Sequence, residues 1–178
     1  MVAGTIGGYF AIVLANQNQS TQQATSDEEY QKQLAEYTKQ QEAAAKENAA
    51  NSEPLDGYNA EAFDASFATE LKSEVLVQGD GETVKKTDTI SASYFGWLSD
   101  GMIFDSSNKK DADDKAISFA LNGVIQGWTK GLDGQKVGST VKLTIPASEG
   151  YGAAGSGVIP ANAPLQFIVK IVSIDAAS

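Results

Sequence analysis

Val124-Ile125-Gln126-Gly127-Trp128 follows a short alternating run and opens a helix predicted over about residues 124–132. Ile125, Trp128 and Leu132 fall on one face of it, at i, i+3 and i+7. That face brings an indole to where it can floor an apolar pocket. Everything from about residue 70 onward reads as walls for that floor. The residues before it read as a device for holding the pocket away from something else.

On both sides of this helix the texture is β. Val75-Leu76-Val77 is a strand closed by the turn Gly79-Asp80-Gly81. Residues 89–98 alternate, with Ile90, Ala92, Tyr94 and Leu98 on one face and Ser91 and Ser93 on the other. Asp100-Gly101 is a hairpin turn, and Met102-Ile103-Phe104 is the return strand. Ile117, Phe119 and Leu121 alternate, as do Val141, Leu143 and Ile145 within 139–145. In the last strand, 165–174, Phe167, Val169 and Ile171 take the inner side. Residues 60–72 read as a short helical or irregular lead-in with Phe63 and Phe67 as plugs. The expected fold is α+β: a curved antiparallel sheet, a half-barrel, wrapped around one short helix.

Three segments are expected. Residues 1–15 are apolar or small and precede any charge; they fall short of the ~20 residues that span a bilayer as a helix. No basic residue leads them as in a signal peptide, although Val13-Leu14-Ala15 fits a cleavage site. A membrane anchor, a cleaved signal and a soluble packing segment all remain open. The expectation is an extracytoplasmic protein, anchored or exported, with a cytoplasmic one as the alternative. Residues 16–53 form a polar spacer, helical over about 26–50, where Ser26 and Glu29 make a capping box and Glu28–Lys32 and Glu42–Lys46 are i,i+4 pairs. Its apolar stripe is thin, Tyr30, Leu34 and Tyr37 followed only by alanines. Residues 54–178 carry the folded domain, with its core at about 70–175.

Composition excludes more than it selects. All 13 basic residues are Lys against 23 acidic ones, and the net charge of −10 argues against a nucleic-acid partner. No Cys removes disulfides, thiol nucleophiles and thiolate metal sites, and no His removes the usual general base and His-ligated zinc. An enzyme built from this chain must work without a strong nucleophile or a proton shuttle at neutral pH. Asp111-Ala112-Asp113-Asp114 has neither the sixth-position Gly nor the twelfth-position Glu of a calcium loop, and reads as a solvated acidic loop. Neither a metal nor a cofactor is expected.

Four segments carry a resemblance. They are Tyr94-Phe95-Gly96-Trp97-Leu98-Ser99-Asp100-Gly101 with Phe104-Asp105-Ser106-Ser107; Phe119-Ala120-Leu121; Val124-Ile125-Gln126-Gly127-Trp128 with Gly131-Leu132 and Val137-Gly138; and Ile145-Pro146, Gly150-Tyr151-Gly152 and Gly157-Val158-Ile159-Pro160-Ala161-Asn162 before Leu165. In this order and spacing they resemble the FKBP-type peptidyl-prolyl isomerases over residues 70–175, about 60% of the chain. The resemblance implies a half-barrel domain of five or six antiparallel strands, with a ligand pocket between helix and sheet; separately, the domain is expected to be monomeric. It implies a catalytic set of Tyr94, Phe104, Asp105, Ile125, Trp128, Tyr151 and Phe167, and substrate contacts at Phe119, Val124, Val158 and Ile159. Trp128 would underlie the proline ring. The Ile125 N–H and Tyr151 hydroxyl would bond carbonyls of a proline-containing polypeptide, or of a macrolide of the class this family binds.

The implied chemistry agrees with the composition. Rotating an X–Pro bond meets a barrier of ~18–20 kcal/mol from amide resonance. Twisting removes resonance and charge separation, so a water-poor aromatic pocket favours the twisted amide without acid, base or covalent steps. Lowering the barrier by ~7–8 kcal/mol would supply a factor of about 10⁵–10⁶.

Some positions depart from the family pattern. Ile117 stands where Phe is frequent, Ser156 where an aromatic or His is common, and Asn122-Gly123 makes a shortened connection. Where an arginine often partners the pocket aspartate, only Lys109 or Lys110 is available. Two other readings compete: a proline-peptide-binding module or holdase with little turnover, and a structural subunit in which anchor and stalk matter more than the pocket.

Overall fold

A computed structural model describes residues 22–110 and 116–175, with side chains from residue 29. The apolar run 1–15, the side chain of Ser26 in its capping box and the acidic loop 111–114 lie outside the described residues. The chain divides into two units, Met1–Thr38 and Lys39–Ser178. In the first, the described residues belong to helix α1 (Gln22–Asn51), and Tyr30, Leu34 and Tyr37 are exposed on it. None of the described helices is long and apolar enough to cross a membrane.

The second unit contains the end of α1, six strands and a short helix. In chain order they are β1 (Lys72–Val77), β2 (Thr89–Trp97), β3 (Ile103–Ser106), β4 (Ile117–Ala120), α2 (Gln126–Leu132), β5 (Thr140–Ile145) and β6 (Leu165–Asp175). All pairs are antiparallel, in the order β1-β5-β6-β2-β3, and β4 also pairs with β2. The first half of β2, Thr89 to Ala92, is paired by β4 and its end, Phe95 to Trp97, by β3. Those two short strands therefore follow one another along the same edge of β2. The expected antiparallel sheet around one short helix is what forms.

Helix α2 begins one residue after Ile125, its N-cap at φ −58° and ψ 147°, so it starts two residues later than the periodicity suggests. Gly127 and Gly131, four residues apart, let it lie close on β5. A Cβ on Gly127 would stand 2.5 Å from Ile145, and one on Gly131 2.6 Å from Leu143. Trp128 and Leu132 are thereby pressed into the main core with Ile90, Tyr94, Val141, Leu143, Val169 and Ile171.

The sheet also has a core on its outer face, which the alternation of residues 89–98 did not disclose. Phe95 and Trp97 point away from α2 and stack at 5.0 Å, and Leu55 and Ile168 bury them. Residues 54–63 cover this face, with Tyr58, Ala60 and Phe63 packed against it and Glu61 C=O accepting from Trp97 Nε1 at 2.9 Å. Phe63 thus plugs as expected. Phe67 does not: it is 72% exposed, on a single turn of 3-10 helix capped by Asp64.

Candidate active site

α2 carries Trp128 to the floor of a hollow of about 360 Å³ between helix and sheet. The indole is only 4% exposed, and three rings meet it at steep angles: Tyr94 at 5.2 Å and 85°, Phe119 at 5.3 Å and 69°, Phe167 at 5.4 Å and 86°. Phe104 stands edge-on to Phe167 at 5.4 Å. Such edge-to-face pairs add about 0.5–1.5 kcal/mol each beyond burial, so the walls hold one another in place. Strand β2 supplies Tyr94, β3 Phe104 and Asp105, β4 Phe119 and β6 Phe167. Ile125 and Val124 enter from the head of α2, and Tyr151 closes the mouth, 38% exposed.

Gly96 makes the wall possible. A Cβ there would fall 2.5 Å from Phe167 Cε1 and 2.7 Å from Phe104 Cζ, so both rings lie over bare backbone. The buried indole N–H of Trp128 finds no hydrogen-bond partner. A group left so is costly by about 1–3 kcal/mol, a cost tolerated more often at working sites than in plain core.

One carboxylate faces this apolar hollow. Asp105 Oδ2 accepts from the Tyr94 hydroxyl at 2.5 Å. Its Oδ1 accepts from Asn48 Nδ2 at 2.8 Å, the Ser106 N–H at 2.9 Å and Lys109 Nζ at 3.3 Å. Burial, then the charge and hydrogen bond of Asp105, drive the Tyr94 phenol far above its ordinary range. Burial and Asp105 also push Tyr151 up. Both phenols therefore keep their protons and remain donors across ordinary pH. The hollow can take an apolar ring, bond carbonyls from its rim and exclude water.

Nine of the eleven expected site residues line this hollow: Tyr94, Phe104, Asp105, Phe119, Val124, Ile125, Trp128, Tyr151 and Phe167, joined by Gly123. Val158 and Ile159 line a neighbouring cavity of about 330 Å³, on the other side of Phe104, which Gln41, Ala45 and Asn48 of α1 help enclose. A larger hollow of about 650 Å³ is walled by Glu53, Asp56, Lys109, Lys110 and Lys170. It lacks the ring cluster and is mostly polar, so size does not make it the better candidate.

The sequence model for FKBP-type peptidyl-prolyl cis-trans isomerases matches residues 80–172, just over half of the chain. The chain belongs to that family. Among its FKBP relatives, the FkpA isomerase of Escherichia coli strain K12 is 41% identical over 110 residues, 62% of this chain and 40% of that protein. The FK506-binding protein of Neisseria meningitidis serogroup A is 41% identical over 102 residues, 57% of this chain and 93% of that protein. The crystal structure of FkpA from Escherichia coli superposes with a TM-score of 0.57 at 31% identity, over 92% of this chain and 75% of that one. The chain spans about 40% of the length of the FkpA relatives it matches.

Within this FKBP domain the departures fall unevenly. Ile117 is 41% exposed on β4, outside the hollow, so its loss of aromaticity leaves the wall intact. Ser156 lines the side cavity rather than the main one. The lysine at 109 does reach the pocket aspartate, but Asn48 lies closer to it. Asn48, Gly96 and Gly123 were missed as site residues. Gly96 lay inside a quoted motif and Gly123 in the shortened Asn122-Gly123 connection, whereas nothing in an alanine-rich helix marks Asn48.

Proposed function

We propose that this chain accelerates cis/trans rotation about X–Pro bonds of polypeptides, using the ring-lined hollow over Trp128. The observation that carries this is the set of rings edge-on around a buried indole, with the Tyr94–Asp105 bond at its border and the partly exposed Tyr151 in its lining. The proline ring seats on Trp128, and its carbonyl turns among the edges of Tyr94, Phe104 and Phe167, whose positive rims face the shifting oxygen. The Ile125 N–H and the protonated Tyr151 hydroxyl hold flanking carbonyls. Because the twisted amide is less polar than the planar one, exclusion of water lowers the barrier without proton transfer. Macrolides of the family's ligand class compete for the same floor. Residues 1–15 tether or export the chain outside the cytoplasm, α1 acts as spacer, and the domain works as a monomer.

A proline-peptide assay on the full chain tests the reading: acceleration that falls in Phe104→Ala supports it, and none from the wild type refutes it. A second reading, a holding chaperone of low turnover, draws on the exposed Tyr30, Leu34 and Tyr37 of α1. It predicts that Phe104→Ala leaves aggregation suppression unchanged while Tyr30→Ser with Leu34→Ser abolishes it.

A further inference from the structure

Helix α1 was read as a spacer, yet its last turns reach the site's only carboxylate among the described lining residues. Asn48 Nδ2 donates to Asp105 Oδ1 at 2.8 Å, while Asn48 Oδ1 accepts from Lys109 Nζ at 2.6 Å. Lys109 Nζ in turn donates to Ser52 Oγ at 2.9 Å, and Ser52 Oγ donates to the Asn48 carbonyl at 2.8 Å. The main chain knits the same seam, with Glu53 N–H on Asn108 C=O and Lys110 N–H on Asn51 C=O, each at 3.0 Å. One turn earlier on the same helix face, Gly157 approaches so closely that a Cβ there would lie 2.6 Å from Ala45.

The chemistry at position 48 is specific. The side chain must donate to a carboxylate and accept from an ammonium at once, and a primary amide does both. Turned over, it would set oxygen against oxygen and N–H against ammonium. An Asp at 48 would repel Asp105, and a Lys would repel Lys109. The direct Lys109–Asp105 pair is longer, at 3.3 Å, and its side chains are 30% and 36% exposed, so it is screened and orients little.

We infer that Asn48 is a positioning residue: it anchors Asp105 Oδ1 so that Oδ2 stays on the Tyr94 hydroxyl, and so makes the end of α1 part of the isomerase machinery. This rests on the proposed isomerase reading. With Asp105 Oδ1 occupied by Asn48, Ser106 and Lys109, the carboxylate cannot swing, and the Tyr94 ring keeps its edge toward Trp128 and Phe119.

The test is a double-mutant cycle on the full chain with Asn48→Ala, Asp105→Ala and both, measuring kcat and KM for an X–Pro peptide and the melting temperature. Asn48→Ala is expected to lower kcat roughly fivefold to tenfold with KM little changed. In the Asp105→Ala background it should change kcat no further, because its route of action is gone. Undiminished kcat in Asn48→Ala, or a loss of equal size in both backgrounds, overturns the inference. NMR of the Tyr94 ring signals supplies an activity-independent readout: Asn48→Ala should shift them and leave those of Tyr30 in place. Unshifted Tyr94 signals overturn the inference too. A wild-type chain that accelerates nothing defeats the isomerase reading alone, and the Tyr94 signals then decide the role of Asn48.

Discussion

Tyr94 donates its hydroxyl to Asp105 over 2.5 Å while its ring stands 5.2 Å from Trp128, so one side chain joins the pocket's polar border to its apolar floor. Burial and Asp105 raise the folded-state pKa of Tyr94, and burial and Asp105 raise that of Tyr151. For a phenol raised on folding, the stability contribution is intact below the free value of about 10 and is lost as pH climbs above it. A pH profile of kcat/KM should therefore show no alkaline break below about pH 10. Tyr94→Phe should lower kcat several-fold and lessen the fall of melting temperature above that pH, as circular dichroism would show.

Trp128→Leu keeps an apolar floor but loses its width and the edge contacts of Tyr94, Phe119 and Phe167. Stability should fall by about 1–3 kcal/mol, and kcat/KM by roughly tenfold to a hundredfold, or about 1.4–2.8 kcal/mol of transition-state binding. Denaturant unfolding beside a peptide assay separates the two.

Gly96→Ala places a methyl where the Phe104 and Phe167 rings now lie. Overpacking of this kind costs about 1–3 kcal/mol. Since the displaced rings are the pocket's own walls, activity measured well below the melting temperature should fall as well.

Leu55→Ala probes the outer core, where Leu55 packs with Phe95, Trp97 and Ile168. A loss of about 2–5 kcal/mol is expected from the cavity. Turnover at low temperature should be retained, because none of these residues lines the hollow. Thermal melts and initial rates on the same sample check both halves.

The sheet and α2 were legible from local signals, since alternation places Phe167, Val169 and Ile171 on one side and the helical period groups Ile125, Trp128 and Leu132. The ring-lined hollow was legible only through the family resemblance that the motifs around Tyr94, Phe104 and Trp128 carry. The outer core was half visible. Phe95 and Trp97 occupy the other parity of β2, but the segment that covers them, 54–63, has no periodicity to reveal it. Ile125 was expected inside α2 and instead caps it, since the helical period cannot distinguish the last extended residue from the first helical one. Asn48 was out of reach: it lies 57 residues from Asp105, and a run of Ala, Gln, Glu and Lys reads the same whether exposed or docked.

Exchange spectroscopy on an Ala-Pro peptide, with the full chain in H₂O and in D₂O, addresses the central mechanism most directly. The account predicts accelerated cis/trans exchange, equal in both solvents and largely lost in Trp128→Leu, because the barrier falls by desolvation of a turning amide and no proton moves. Exchange no faster than that of the free peptide, or acceleration cut severalfold in D₂O, would contradict it.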